Sequence, residues 1–265
     1  MHIVFESIQK VTRTLQERSF LFQQLVKRDF EKRYKGTILG MAWSILSPLL
    51  QLLVMMLVFS QLFGRNVEHY VIYLFSGNIL MSYFREGTRN GMRSLTSNAN
   101  IITKINVPKY LFLLSSEVQA LVNFGLTVIV FFFFCILDKV DFTPTMLMLW
   151  YPALCLTVMN IGIGMILSAL FVFFRDTSYF YDIFLTLLNY LSAIFYTIDR
   201  FPASAQRYFL LNPVYVMIKY WREAVISGSL PSPQFHFLMA FYALFFLGIG
   251  AFMYKKYNHP FLYYF

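Results

Sequence analysis

From Gly36 to Gly64 no side chain is ionised at neutral pH, yet Lys27, Arg28, Asp29, Glu31, Lys32, Arg33 and Lys35 crowd the segment just before it. Few folds accept such a junction. A helix of about 20 apolar residues crosses the ~30 Å hydrocarbon core of a bilayer. Inside that core the backbone must satisfy its own hydrogen bonds, which a helix does. The run therefore leaves water, and the charged segment before it stays at the surface.

The rest of the chain extends this reading. It has 265 residues, 58% hydrophobic and 13% charged, with 31 Phe and 18 Tyr. A soluble domain carries about 25% charge. Apolar runs at residues 36–63, 69–84, 118–137, 146–174, 177–198 and 235–254 are six candidate spans. The second is short, and helical continuation through Arg85 and Glu86, with side chains reaching the interface, would complete it. The expected fold is an all-α integral membrane protein of six transmembrane helices.

The net charge of +9 would suggest nucleic acid on a soluble chain. Here the cations lie between apolar spans and read as topology and lipid head-group signals. With the N-terminus inside, 16 of the 22 Lys and Arg fall on the cytoplasmic side. That bias predicts both termini in the cytoplasm. The first 37 residues lack a continuous apolar stretch, so no signal peptide is expected.

Three segments outside the spans look built. Val4, Ile8, Val11 and Leu15, then Phe22, Val26, Phe30 and Tyr34, recur at helical spacing. Residues 1–35 thus read as an amphipathic helix in the membrane interface, or one packed on the cytoplasmic surface. Residues 85–110 are too long and basic for a tight turn. They hold a short helix candidate with Ile101, Ile102 and Ile105 on one side, either a solvated loop or a docking helix, and Pro108 ends it or starts the next helix. Residues 197–234 are too apolar for a plain loop, and fit short re-entrant helices or a small outer cap.

Several chemistries are missing from the pattern. There is no GxxxxGK[ST] phosphate loop, no HExxH and no GxSxG elbow, and Cys135 and Cys155 stand alone inside apolar runs. Glu117 is expected at a membrane edge, marking a helix end. Gln51, Asn78, Asn123, Asn160 and Asn189 read as hydrogen-bonding contacts between helices. Gly36-x-x-x-Gly40 and Gly87-x-x-x-Gly91 match a small-residue packing motif at span ends, and Gly162-x-Gly164 permits a close helix approach or a bend. The aromatics Tyr190, Phe195 and Tyr196 of the fifth span suit either packing or stacking on sugar rings.

Arg33-Tyr34, Gly36-Thr37, Leu39-Gly40, Trp43 and Pro48, in that order, resemble the RY-x-x-S-x-LG-x-x-W…P signature of the transmembrane subunits of type-2 ABC exporters for cell-surface polysaccharides, with Thr37 in place of the usual serine. Arg175-Asp176 after the fourth span, Asn212-Pro213 and Tyr220…Arg222 are similar to further motifs of that family. The resemblance implies a permease in a bacterial plasma membrane, for O-antigen, capsule or teichoic acid. It implies a homodimer joined by two separate ATPase subunits that hold ATP and Mg, with no cofactor or catalytic residue on this chain. Residues 1–35 would be an interface helix and 36–265 the six-span domain. Asn98, Asn100, Ile101, Ile102, Lys104 and Ile105 would form the coupling helix that docks on the ATPase.

On that footing the substrate is a lipid-linked glycan or polyol-phosphate polymer. Its anionic head group would meet Arg28, Arg33, Tyr34, Lys35 and Arg175, unless these cations only anchor the protein to lipid. Trp43, Tyr190, Phe195 and Tyr196 would line the path. The alternatives are a drug or small-lipid exporter of the same type, an integral-membrane enzyme acting on polyprenyl-linked sugars, and a secondary transporter.

Overall fold

The computed structural model describes residues 18–33, 35–63, 68–105, 107–198, 201–257 and 261. Among them the regular structure is helical. Residues 18–33 form α1. A single 3-10 turn, Gly40–Ala42, leads into α2, Trp43–Phe63. Then come α3, Tyr70–Arg93, the one-turn α4, Ala99–Ile102, and α5, Tyr110–Leu137. A 3-10 segment, Pro144–Leu149, opens α6, Trp150–Phe173. The remaining described helices are α7, Thr177–Leu191, α8, Ala203–Phe209, α9, Pro213–Val225, and α10, Pro233–Tyr257.

Four stretches are long and apolar enough to cross a membrane: Gly40–Phe59, Tyr110–Leu137, Pro144–Phe173 and Pro233–Tyr257. They fall on the first, third, fourth and sixth expected spans. The second expected span is α3, which does continue through Arg85 and Glu86 to Arg93. Its 24 residues would reach about 36 Å at 1.5 Å per residue. Its charge keeps it out of the apolar set, and α3 is instead the helix at the centre of the bundle, touching α2, α5, α6, α7 and α9. The fifth expected span is interrupted. Helix α7 stops at Leu191 after 15 residues, and the chain then runs irregularly, with Ala193 at φ 49°.

Glycines set the closest approaches. A Cβ on Gly162 of α6 would lie 2.4 Å from the backbone nitrogen of Leu247, and one on Gly250 of α10 would lie 2.5 Å from the Gly162 carbonyl oxygen. The expected close approach at Gly162 is thus the α6–α10 crossing. Gly87 and Gly91 lie within α3 rather than at a span end, and a Cβ on Gly91 would meet the Cα of Gly164 at 2.9 Å. That small-residue motif packs the chain against itself.

Two apolar cores result. The larger runs through the bundle and includes Phe75, Phe84, Phe131, Met159, Tyr220 and Trp221. The smaller lies at the end where α1 meets α5 and α6, built from Leu25, Leu95, Ile102, Phe112, Val172 and Phe261. It ties α1 and α4 to the ends of the long helices, so neither is a free appendage. Of the expected amphipathic helix over 1–35, residues 1–17 and Tyr34 lie outside the described residues.

Between α7 and α10, residues 197–234 hold two short helices. Asn212 caps α9, its side-chain oxygen accepting from the nitrogens of Val214 at 3.0 Å and Tyr215 at 3.3 Å, and Pro213 occupies the first turn. Such a cap satisfies donors that the helix leaves open, and proline there gives up no bond. Ten of the 13 residues of α9 are buried.

Candidate functional site: a polar cleft along the central helix

Where α1, α2, α3 and α5 converge, a cleft of about 740 Å³ opens between otherwise apolar helices. Helix α1 contributes Asp29, Lys32 and Arg33, and α2 contributes Trp43, Ser44, Ser47, Pro48 and Gln51. Helix α3 supplies one long wall with Asn78, Ser82, Arg85, Glu86, Arg89 and Arg93, and α5 closes the back with Ser116, Gln119, Asn123 and Thr127. Such a concentration of polar groups inside a membrane bundle marks a path or a binding place.

Polar side chains lock the four helices at this cleft. Arg33 pairs with Glu86, and the Asn123 amide also donates to Glu86, at 2.6 Å. Ser44 donates to the Asn123 carbonyl oxygen at 3.2 Å. On α1, Asp29 accepts the Ser115 hydroxyl at 2.9 Å, and its backbone carbonyl accepts from Gln119 at 3.0 Å. The end of α1 and the start of α2 are thereby tied to α3 and α5. Arg89 pairs with Asp182 of α7 at 2.6 Å.

Behind α3 lies a second polar group. Tyr83 donates to Glu117 at 2.8 Å, the Asn160 amide donates to the same oxygen at 3.3 Å, and Tyr83 also bonds Thr157 at 2.8 Å. Glu117 is 4% exposed and lies well inside α5, which begins eight residues before the expected span. It is therefore not a helix end, as the apolar run starting at Val118 implied.

The expected head-group residues separate. Arg33 lines the cleft. Arg28 instead holds its neighbour Asp29, through Nε at 3.0 Å and Nη2 at 2.6 Å. Lys35 is exposed, Arg175 is exposed with its guanidinium 5.2 Å from the Phe171 ring, and Tyr34 lies outside the described residues. The cleft brings in Lys32, Arg85, Arg89 and Arg93, which were not singled out from sequence. The helical continuation expected through Arg85 and Glu86 runs on to Arg93, so Arg89 and Arg93, expected in a segment of loop or docking helix, lie on the same helix as Arg85.

The expected aromatic path also divides. Trp43 stands at the cleft, at the start of α2. Phe195 stacks on Phe59 of α2, ring centres 4.4 Å apart, about 24 Å further along that helix. Tyr190 faces Phe195 at 6.4 Å, and the Tyr196 hydroxyl donates to the Tyr190 carbonyl at 2.8 Å. Three aromatics therefore gather at one end of α2 and the tryptophan at the other.

In the expected coupling segment, Asn98 and Ile102 are buried, Ile101 is half-buried, and Asn100, Lys104 and Ile105 are exposed. The Asn98 amide donates to the Ser94 carbonyl at 2.7 Å, so this segment is bonded to the end of α3 beside the cleft. Among the described residues no cluster of three His, Cys, Asp or Glu could hold a metal ion.

The profile of the ABC-2 type transporter family matches residues 20–226, which includes every wall of this cleft. The chain belongs to the ABC-2 type transporter family. Similar members include an O-antigen export system permease protein RfbA of Klebsiella pneumoniae, 27% identical over 91% of this chain and 95% of the relative. A second RfbA of that species is 30% identical over 80% of this chain and 83% of its own length. The polysialic acid transport protein KpsM of Escherichia coli is 22% identical over 88% of this chain and 92% of its length. For an ABC-2 transporter chain, a polar cleft inside an apolar bundle is where a cargo with polar groups would be accommodated.

Proposed function

We propose that this chain is the permease subunit of an ATP-driven exporter that carries a lipid-linked polysaccharide across the bacterial plasma membrane, from the cytoplasmic to the outer face. The observation that carries the reading is the polar cleft of α1, α2, α3 and α5, lined by cations, serines and amides in a chain whose similar family members are named for O-antigen export and polysialic acid transport. A glycan offers many hydroxyls and its lipid carrier an anionic phosphate, and both need hydrogen-bonding walls in hydrocarbon.

The Lys and Arg bias supports a cytoplasmic location for both termini, the α1 end of the cleft and α4. A separate ATPase would bind ATP and Mg and press on α4. Asn98 bonds the end of α3, so that push would reach the cleft wall directly. A second copy of the chain would cover apolar faces that stay open here, such as Leu53, Val54, Leu57 and Val58 on α2 and Phe180, Ile183, Phe184 and Leu187 on α7.

The test is genetic and chemical. Cells with the gene disrupted should lose surface polysaccharide and accumulate lipid-linked polymer inside, and the intact gene should restore export. Unchanged surface polymer together with a raised sensitivity to a drug would replace this reading with a small-molecule exporter.

A further inference from the structure

Five cleft-lining residues of α3, Asn78, Ser82, Arg85, Arg89 and Arg93, are separated by four, three, four and four positions. At 100° per residue they fall within about 80° of one another, a single stripe about 22 Å long. The stripe is graded. Its end nearest α4 carries three guanidiniums about one turn apart, and its deeper end carries a hydroxyl and an amide.

The guanidiniums are not equally engaged. Arg89 gives one nitrogen to Asp182. Arg85 reaches Asn189 through Nη2 at 3.3 Å, but its Nε is buried with no hydrogen-bond partner. Arg93 is exposed at the mouth. Lys32 and Arg33 face the same space from α1. The carboxylates lining it, Asp29 and Glu86, are bonded to Ser115 and to Arg33 respectively. A buried charged donor left unmet is expensive, and the fork of an arginine fits two oxygens of one phosphate.

We infer that the Arg85–Arg89–Arg93 face of α3 is a binding site for a lipid phosphate or diphosphate, with Ser82 and Asn78 receiving hydroxyls of an attached sugar deeper in the cleft. This rests on the export reading for its cargo but not for its chemistry. The phosphate could belong to an isoprenoid carrier or to a membrane phospholipid.

The full-length protein in phosphatidylcholine nanodiscs is titrated calorimetrically with geranylgeranyl diphosphate, and in parallel with geranylgeraniol. The diphosphate should bind and the alcohol should bind at least about tenfold more weakly. Arg85→Gln and Arg93→Gln should each weaken the diphosphate by about tenfold or more, Arg85→Lys should recover part of the loss, and Lys256→Gln, an exposed cation elsewhere, should bind as the native protein does. If Arg85→Gln does not fold, Arg93→Gln carries the test from its exposed position. Native affinity in both glutamine variants, or equal binding of alcohol and diphosphate, overturns the site. Discs containing phosphatidylglycerol separate the sources. Arginine-dependent competition puts phospholipid in the row, and absence of competition leaves it to the isoprenoid carrier, both keeping the phosphate site. Failure of the export reading would appear in the cellular polymer assay, with these titrations unaffected.

Discussion

Glu117 shows how one side chain is fixed by its neighbours in space. Its carboxylate receives the Tyr83 hydroxyl and the Asn160 amide, three helices meeting on one oxygen. Glu117→Gln keeps an acceptor of the same shape and should shift thermal unfolding in detergent by less than about 1 kcal/mol. Glu117→Leu removes the acceptor that two buried donors share, leaving Tyr83 only Thr157 and Asn160 only the Tyr83 carbonyl, and should cost about 1–3 kcal/mol in the same measurement. Little of this was legible locally. Hydropathy located the apolar run from Val118, but α5 starts just after Pro108, so the carboxyl belongs to the helix interior. Arg85, Arg89 and Arg93 were readable in principle, since their spacing is helical. Their charge disguised them, because a cation ends an apolar count whether or not it ends the helix.

Helix pairs depend on backbone distance, which composition registers only through small residues. Gly162→Ala would force a Cβ into the backbone of α10 and should destabilise by about 1–3 kcal/mol. Gly125→Ala on α5 meets nothing within 4 Å and should be neutral, or stabilising by up to about 1 kcal/mol. Paired unfolding curves would separate the two. The end of α7 depends on long-range bonds instead. Arg222 of α9 donates to the carbonyls of Tyr73, Ala193 and Ile194 at 3.0, 2.9 and 3.1 Å, and Tyr70 donates to that of Phe195 at 2.8 Å. These side chains satisfy backbone that leaves the helix, which is what non-helical chain requires away from water. Arg222→Lys loses the fork. Amide exchange over residues 191–196 should rise by about tenfold or more, for the loss of about 1–3 kcal/mol of hydrogen bonding. The apolar run through 177–198 gave no hint of this break, because the side chains that satisfy it lie far off in sequence, Arg222 downstream and Tyr70 upstream.

For the whole molecule, the class was legible and the arrangement was not. The charge desert from Gly36 to Gly64, the apolar runs and the Arg33-Tyr34…Trp43…Pro48 order led to a helical membrane permease of the exporter type. Which helix stands in the middle could not be read from hydropathy, because α3 is central while being the most charged of the long helices. Its polar groups are tolerated there because α1, α5, α6 and α7 supply partners that lie far away in sequence. The same partners set how the molecule yields. Half of the apolar stretch in Pro144–Phe173 is buried, against 11% of that in Gly40–Phe59. Helix α2 is fastened through Ser44 at one end, Phe59 at the other and Leu52 between. Stiffness is thus concentrated in α6 and compliance in α2. A load placed on the chain strains α2 first, widening or narrowing the cleft as a bow changes its chord while the stave behind it stays straight.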